Sequence, residues 1–322
     1  MKVLIADKFE DFGIDALKRL GCEVSSDPSL SPETLIAAIS AFQPDILIVR
    51  STKVPAAVID AASSVKLIIR AGAGYDNIDC AAAAARHIGV CNCPGMNAIA
   101  VAELAMGHLI ACDRNLMDQK TALMQGKWNK KGFAGARGLK GSTLGIVGLG
   151  AIGKELAKRA RAFDINLIIW SRSITPEAAA ELGATCAGND RAALLNMLPQ
   201  CDHVSIHVAS APDTDGMCDE TFFAAMKPGS TFINTARGSV CDEQALIDAI
   251  KAKNIRAGVD VYAHQPGTGE ADFTCEVASL PGCSVSHHNG ASTDQAQRAV
   301  AEETVRIVKQ FMDSGEFLHR VN

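Results

Sequence analysis

No stretch of this 322-residue chain holds about 18 apolar residues in a row, so nothing in it is expected to span a membrane as a helix. It also lacks a long basic run. With a formal net charge of −5, nucleic acid and acidic membrane surfaces are not expected partners. Lys127, Lys130 and Lys131 form a short basic cluster, read as a solvated face. The chain has eleven cysteines, but no Cys/His set has the spacing of zinc ligands, and the one close pair, Cys91 and Cys93, has a single residue between. No metal is therefore expected, and reduced cytosolic thiols are the simpler reading. The opening MKVLIAD reads as a strand, not as a basic-then-apolar signal segment, so the expected compartment is the cytoplasm. Low-complexity tracts and short repeats are absent.

What is present is most specific at Gly148-Leu149-Gly150-Ala151-Ile152-Gly153. This stretch follows TLGIV, a β-rich apolar run, and opens KELAKRARAF, an amphipathic helical pattern. Strand, glycines and helix in that order form the dinucleotide-binding fingerprint. Gly148 permits the tight turn, Gly150 lets the backbone approach a pyrophosphate, and Gly153 lets the helix sit close to the strand. With Ala151 and Ile152 these are the candidate phosphate contacts, because a helix N-terminus offers N–H groups and partial positive charge. The bland alternative is an ordinary glycine-rich strand-to-helix turn.

The next strand, NLIIW, lacks the acid that usually stands about 20 residues past the glycines to hold a ribose 2′-OH. Ser171-Arg172-Ser173 occupies that place, with no acid before Glu177. A guanidinium can hold a 2′-phosphate bidentately, with hydroxyls beside it. The expected cofactor is NADP(H), with NAD(H) the alternative. The competing view of Arg172 is a solvated loop charge stacking on adenine.

Composition is ordinary for a soluble globular chain, 48% apolar and 21% charged, and the length suggests about two domains. Short apolar strands alternate with helices nearly throughout, which indicates parallel sheets. The first series is KVLIAD, DILIVR, KLIIRAG and GVCNC. The second is TLGIV, NLIIW, HVSIHV, STFINTA, AGVDVY and CSVSHH. A helix is predicted from Ser31-Pro32-Glu33 and another at DCAAAAARH. The fold class is therefore α/β, with two doubly wound parallel-sheet domains, the second a Rossmann-type dinucleotide-binding domain. A long apolar helix from Ala98 to about Gln125 is expected to connect the series and to pack against another subunit. The last helix, Thr293 to Met312, is expected to return to the first domain. The predicted domains are 1–97 plus 294–322 for substrate and 98–293 for dinucleotide.

Polar residues cluster where strands of the second series end, the place where open α/β folds bind ligands. Arg237, in Asn234-Thr235-Ala236-Arg237-Gly238, can hold a substrate carboxylate and polarise the neighbouring oxygen; a surface salt bridge is the alternative. His288, in Ser286-His287-His288-Asn289-Gly290, is placed as a general acid/base. Between them lies Asp260-Val261-Tyr262-Ala263-His264-Gln265-Pro266.

These segments resemble the D-isomer-specific 2-hydroxyacid dehydrogenases. The resemblance also rests on VRSTKV at 49–54, RAGAGYDNID at 70–79, NCPGMNAIAVAE at 92–103 and GKWNKKGF at 126–133. Within the family it is strongest to members acting on 3-phospho-D-glycerate, in a short form without C-terminal regulatory domains. The resemblance implies the following roles. Arg237 binds the substrate carboxylate and carbonyl, and His288 gives or takes the proton while hydride moves to or from the nicotinamide. Backbone N–H groups near Ala73 and Gly74 cradle the carboxylate. Arg50, Ser51 and Asn97 line the substrate side, with Arg50 a candidate phosphate ligand. Asp260 and Ala236 face the nicotinamide, and His207 lies near the adenosine half.

Three positions depart from the family pattern. Ser171-Arg172 replaces the usual acid. Ala209 replaces a proline after His207-Val208. Gln265 stands where a glutamate normally pairs with the catalytic histidine, although Glu270 and Asp272 lie just beyond. A neutral amide orients an imidazole without stabilising its charge, so His288 should titrate lower than in a glutamate-bearing relative. Oxidation would then persist at neutral pH, while reduction would need more acid conditions. The reading at this point is an NADP(H)-preferring homodimeric oxidoreductase of a small D-2-hydroxy acid. Its rivals are a glyoxylate or hydroxypyruvate reductase and a nucleotide-binding corepressor-like protein.

Overall fold

The computed structural model describes residues 1–267 and 270–322. The chain divides into two compact units, Met1–Asn97 with Ser292–Asn322, and Ala98–Ala291. The sequence placed the second crossing two residues later, at the first residue of the last helix.

The first unit holds β1 (Lys2–Ile5), α1 (Asp11–Arg19), β2 (Glu23–Ser26), α2 (Pro32–Phe42), β3 (Ile46–Val49), α3 (Ala56–Ala61), β4 (Leu67–Arg70), α4 (Cys80–Ala85) and β5 (Gly89–Asn92). All pairings are parallel, in the order β2-β1-β3-β4-β5. Each central strand feeds two cores. Leu4, Leu47, Val49 and Ile68 enter one layer, and Val3, Ile5, Ile46 and Ile48 the other. A parallel sheet covered on both faces needs such unbroken apolar runs, which is why ILIV reads so clearly as a strand. Helix α2 starts as its sequence says. Ser31 caps it in a reciprocal pair with Thr34, and Pro32 takes the first turn.

The second unit begins with α5 (Ala98–Asp113) and α6 (Leu116–Met124). Then follow β6 (Thr143–Val147), α7 (Ala151–Ala162), β7 (Asn166–Trp170), α8 (Pro176–Glu181), β8 (Ala184–Gly188), α9 (Arg191–Met197) and β9 (His203–Ile206). The unit closes with α10 (Glu220–Ala225), β10 (Thr231–Asn234), α11 (Glu243–Lys253), β11 (Arg256–Val259) and β12 (Ser284–Val285). Its seven-stranded sheet runs β12-β11-β10-β9-β6-β7-β8. Chain direction across the sheet reverses between β6 and β9, so the switch point lies at the fingerprint strand. Phe222, Phe223 and Phe232 meet edge-to-face in its core, with centroids 5.1 to 6.1 Å apart. The last helix, α12 (Asp294–Ser314), belongs to the first unit, capped by Thr293 and ended by Gly315 at φ 75°.

One expectation is corrected. The helix from Ala98 to about Gln125 is two helices, broken where Asn115 takes φ 50°. Most apolar side chains of α5 pack inside its own unit, against α7, β10, β11 and β12. Apolar surface is left outside on both helices and just beyond: Ile99 of α5 is 50% exposed, Met124 78% and Trp128 81%. Among the described residues no helix is long and apolar enough to cross a membrane, and no cluster of His, Cys, Asp or Glu could hold a metal ion.

Candidate active site

The fingerprint turn is shaped by atoms its glycines lack. Gly148 sits at φ 104°, and a Cβ there would stand 2.7 Å from the His207 carbonyl carbon and oxygen. A Cβ at Gly153 would lie 2.2 Å from the Gly148 oxygen, so glycine lets α7 start tight against the strand. Gly150 differs: a Cβ there meets nothing within 4 Å. It also precedes α7 without donating a side-chain cap, whereas Asp190, Asp219, Asp242 and Thr293 cap their helices. Open space beside an uncapped first turn fits a pyrophosphate. His207 is buried behind the turn. Its Nε2 bonds Ser205 Oγ at 2.8 Å, its Nδ1 lacks a partner among the described residues, and burial pulls its pKa down to about 4.

Arg172 stands past the end of β7, 64% exposed at its side chain, and donates to Asp213 Oδ2 at 2.7 Å. The sequence offered no acid near Arg172 before Glu177. The fold supplies one from 41 residues away. Both line a cavity of about 340 Å³ with Trp170, Asn189, Arg191 and Asp219. Arg191 in turn holds Asp219 at 2.6 Å. The cavity thus carries two cations, each matched by a carboxylate.

At the end of β10, Asn234 folds the chain back on itself. Its Oδ1 accepts from Ala236 N at 3.0 Å, and its Nδ2 donates to the Arg237 carbonyl at 3.0 Å. Ala236 is buried; the half-buried Arg237 donates through Nη1 to the Ala236 carbonyl. Gly238 must be glycine, since a Cβ there would lie 2.1 Å from the Tyr262 oxygen. That close approach sets the Arg237 loop against the segment leading to Gln265.

Gln265 reaches His288. Its Nε2 lies 2.5 Å from His288 Nδ1, and its Oε1 accepts from Tyr262 N at 3.2 Å. Tyr262 N–H takes the amide oxygen, so the amide nitrogen is the end that faces the ring. His288 itself has φ 51°, an uncommon value for a residue with a side chain. Asp260 is 2% exposed, and its carboxylate points into the loop: Oδ1 accepts from Ser286 Oγ and Asn289 N, and Oδ2 from Gly290 N.

In the first unit, Asp7 organises the segment after β3. Its Oδ2 accepts from the backbone N–H of Arg50 at 2.6 Å and of Ser51 and Thr52 at 3.2 Å. Asn92 Nδ2 holds the Ala73 carbonyl at 2.6 Å, just before Gly74, and Asn97 Oδ1 is buried without a partner among the described residues. Asp7, Asn234 and Asp213 were missed from sequence. Asp7 and Asn234 carry a signal, a polar residue at a strand's carboxyl end; Asp213 carries none.

A family model described as D-isomer specific 2-hydroxyacid dehydrogenase, NAD binding domain, matches residues 106–290. A D-3-phosphoglycerate dehydrogenase from Archaeoglobus fulgidus is 36% identical over 315 residues, 96% of this chain and 58% of that protein. The chain thus spans a little over half the length of such relatives. An NAD+-bound 3-phosphoglycerate dehydrogenase from Entamoeba histolytica superposes with a TM-score of 0.82 at 26% identity, covering 100% of this chain and 98% of that one. An NADPH-dependent glyoxylate/hydroxypyruvate reductase from Sinorhizobium meliloti, in complex with NADP and malonate, gives 0.82 at 28% identity, covering 99% and 96%.

Proposed function

As the chain belongs to the D-isomer-specific 2-hydroxyacid dehydrogenase family, we propose that it interconverts a D-2-hydroxy acid and its 2-keto acid, preferring 3-phospho-D-glycerate and NADP(H). The observation that carries this is the contact of His288 with Gln265, at the strand ends that also hold Arg237 and the uncapped turn. A nicotinamide, when bound, supplies or takes the hydride. Arg237 holds the substrate carboxylate and polarises the carbonyl, where one preorganised donor is worth about 10²–10³ in rate. His288 Nε2 moves the proton. Arg50 takes the phosphate, Ser51 and Asn97 line the substrate side with it, and N–H groups near Ala73 and Gly74 receive the carboxylate.

Ser171-Arg172-Ser173 supports NADP(H). An arginine–phosphate contact of about 1.5–3 kcal/mol gives roughly a tenfold to hundredfold preference. A 2′-phosphate must first displace Asp213 from Arg172. The second reading, a glyoxylate or hydroxypyruvate reductase, is favoured by the NADPH-dependent relative. A corepressor-like role, the third, does not call for the bond between Gln265 and His288. Turnover of 3-phosphohydroxypyruvate, hydroxypyruvate and glyoxylate with each nucleotide decides among them. Activity on the phosphorylated acid with NADPH supports the proposal; activity confined to glyoxylate and hydroxypyruvate selects the reductase; none on any acid, with nucleotide bound, selects the binding protein.

We also propose a homodimer, built through the second unit and the helical segment from Ala98, with α6 and the Trp128 segment offering the most apolar surface. Exposed Leu123, Met124 and Trp128 support it. Light scattering at micromolar protein tests this, and a monomer refutes it. Eleven cysteines without disulfides fit the reducing cytoplasm.

A further inference from the structure

Behind the His288 loop runs a buried polar chain that the proposed reaction does not use. His108, on α5, is 4% exposed. Its Nδ1 lies 2.9 Å from Ser284 Oγ and its Nε2 3.0 Å from Ser286 Oγ. Ser286 Oγ donates to Asp260 Oδ1 at 2.6 Å. Asp260 then holds three consecutive backbone N–H groups. Its carbonyl accepts from His288 N at 2.7 Å, Oδ1 from Asn289 N at 3.0 Å and Oδ2 from Gly290 N at 3.0 Å.

The chain has one polarity. An ionised carboxylate only accepts, so the Ser286 proton points at Asp260, and Ser286 Oγ must accept from His108 Nε2–H. Nδ1 then accepts from Ser284. The backbone has made room for the ring's attachment: a Cβ at Gly258 would stand 2.6 Å from His108 Cβ. Burial holds the His108 pKa below its ordinary value, partly offset by Asp260, which suits a neutral ring in this place.

His288 sits at φ 51°, a conformation kept only where surrounding contacts over-determine it. We propose that His108 is a positioning residue for the reaction: through Ser286 it fixes the Asp260 carboxylate, and Asp260 fixes the backbone that presents the His288 imidazole. Ser284 completes the chain at its far end.

This inference rests on the dehydrogenase reading for its rate arm only. Amide hydrogen exchange of the segment 286–290, in the full chain without substrate, reads the loop directly. His108→Leu should speed exchange at Asn289 and Gly290 at least tenfold. It should also lower kcat about tenfold on whichever of 3-phosphohydroxypyruvate, hydroxypyruvate and glyoxylate the wild type reduces, with the NADPH dissociation constant within about twofold. His108→Gln, which keeps one donor and one acceptor, should restore exchange protection and most of kcat. Ser286→Ala should match His108→Leu, and the double variant should be no worse than either alone, as two links of one chain require. Should His108→Leu not fold, Ser286→Ala carries the same test with the ring in place. Unchanged exchange at Asn289 and Gly290 overturns the proposal, as does equal loss in His108→Leu and His108→Gln. If no keto acid is turned over, the dehydrogenase reading fails and the exchange arm still decides this one.

Discussion

The turn at Gly148–Gly153 and the loop at Ser286–Gly290 stand past strand ends of the same sheet, yet they are built in opposite ways. The turn is shaped by missing side chains, and its tightest approaches are to the backbone of its own six residues and of His207. The loop is shaped by side chains that arrive from elsewhere: Asp260, Gln265 and, through Ser286, His108. A site built by omission breaks when an atom is added. A site built by hydrogen bonds breaks when one partner changes, and the loss passes along the chain. The largest expected effect lies beside the loop. Arg237→Ala should cut kcat by about 10²–10³ while nucleotide binding stays near normal, because its interaction is made with the reacting carbonyl. Near-wild-type turnover would remove Arg237 from the mechanism.

The turn's counterpart is Gly153→Ala. The added methyl would stand 2.2 Å from a backbone oxygen that cannot swing away. Overpacking of this kind costs about 1–3 kcal/mol. The expected outcome is a lower denaturant midpoint together with weaker binding of both nucleotides, measured by urea titration and calorimetry. A variant with wild-type stability and affinity would show that α7 can shift, and that the turn is less tightly built than the loop.

The two regions also differed in how far they could be read. The fingerprint is legible because strand, glycines and helix are contiguous, and the central strands because two-sided burial demands runs such as ILIV. The edge strands β2 and β8 were not foreseen. EVSS and ATCAG are half-solvated, so neither shows an apolar run. The long helix was read as one because apolar content does not register a single residue at φ 50°. The residues behind the loop were invisible for a different reason. His108 and Ser286 lie 178 positions apart, and Asp213 comes to Arg172 from 41. Only the folded sheet brings such pairs together.

Nucleotide choice gives a smaller effect at the turn's side of the sheet. Ser171→Asp should move preference from NADP(H) to NAD(H) by about tenfold to hundredfold, by placing a carboxylate near the 2′-oxygen. Asp213→Asn should act the opposite way, releasing Arg172 from its ion pair and tightening NADPH. Dissociation constants for both nucleotides check each variant. A wild type that favours NAD(H) would sink the preference outright.

The smallest effect, and the most diagnostic of the loop, belongs to Gln265→Glu. The amide turns its oxygen to Tyr262 N–H. Its nitrogen therefore faces His288 Nδ1 and orients the ring without adding charge. A carboxylate has oxygens for both donors and adds negative charge beside the ring, so it should raise the His288 pKa. The signs follow. Reduction needs the protonated imidazole and should extend to higher pH; oxidation needs the neutral one and should lose rate at low pH. With a shift of one unit, both limbs of the kcat/KM profiles move by one unit, while the rate at each plateau changes severalfold at most. If both profiles overlay those of the wild type, the amide at 265 does not set the protonation of His288, and the loop's control of its histidine ends at geometry.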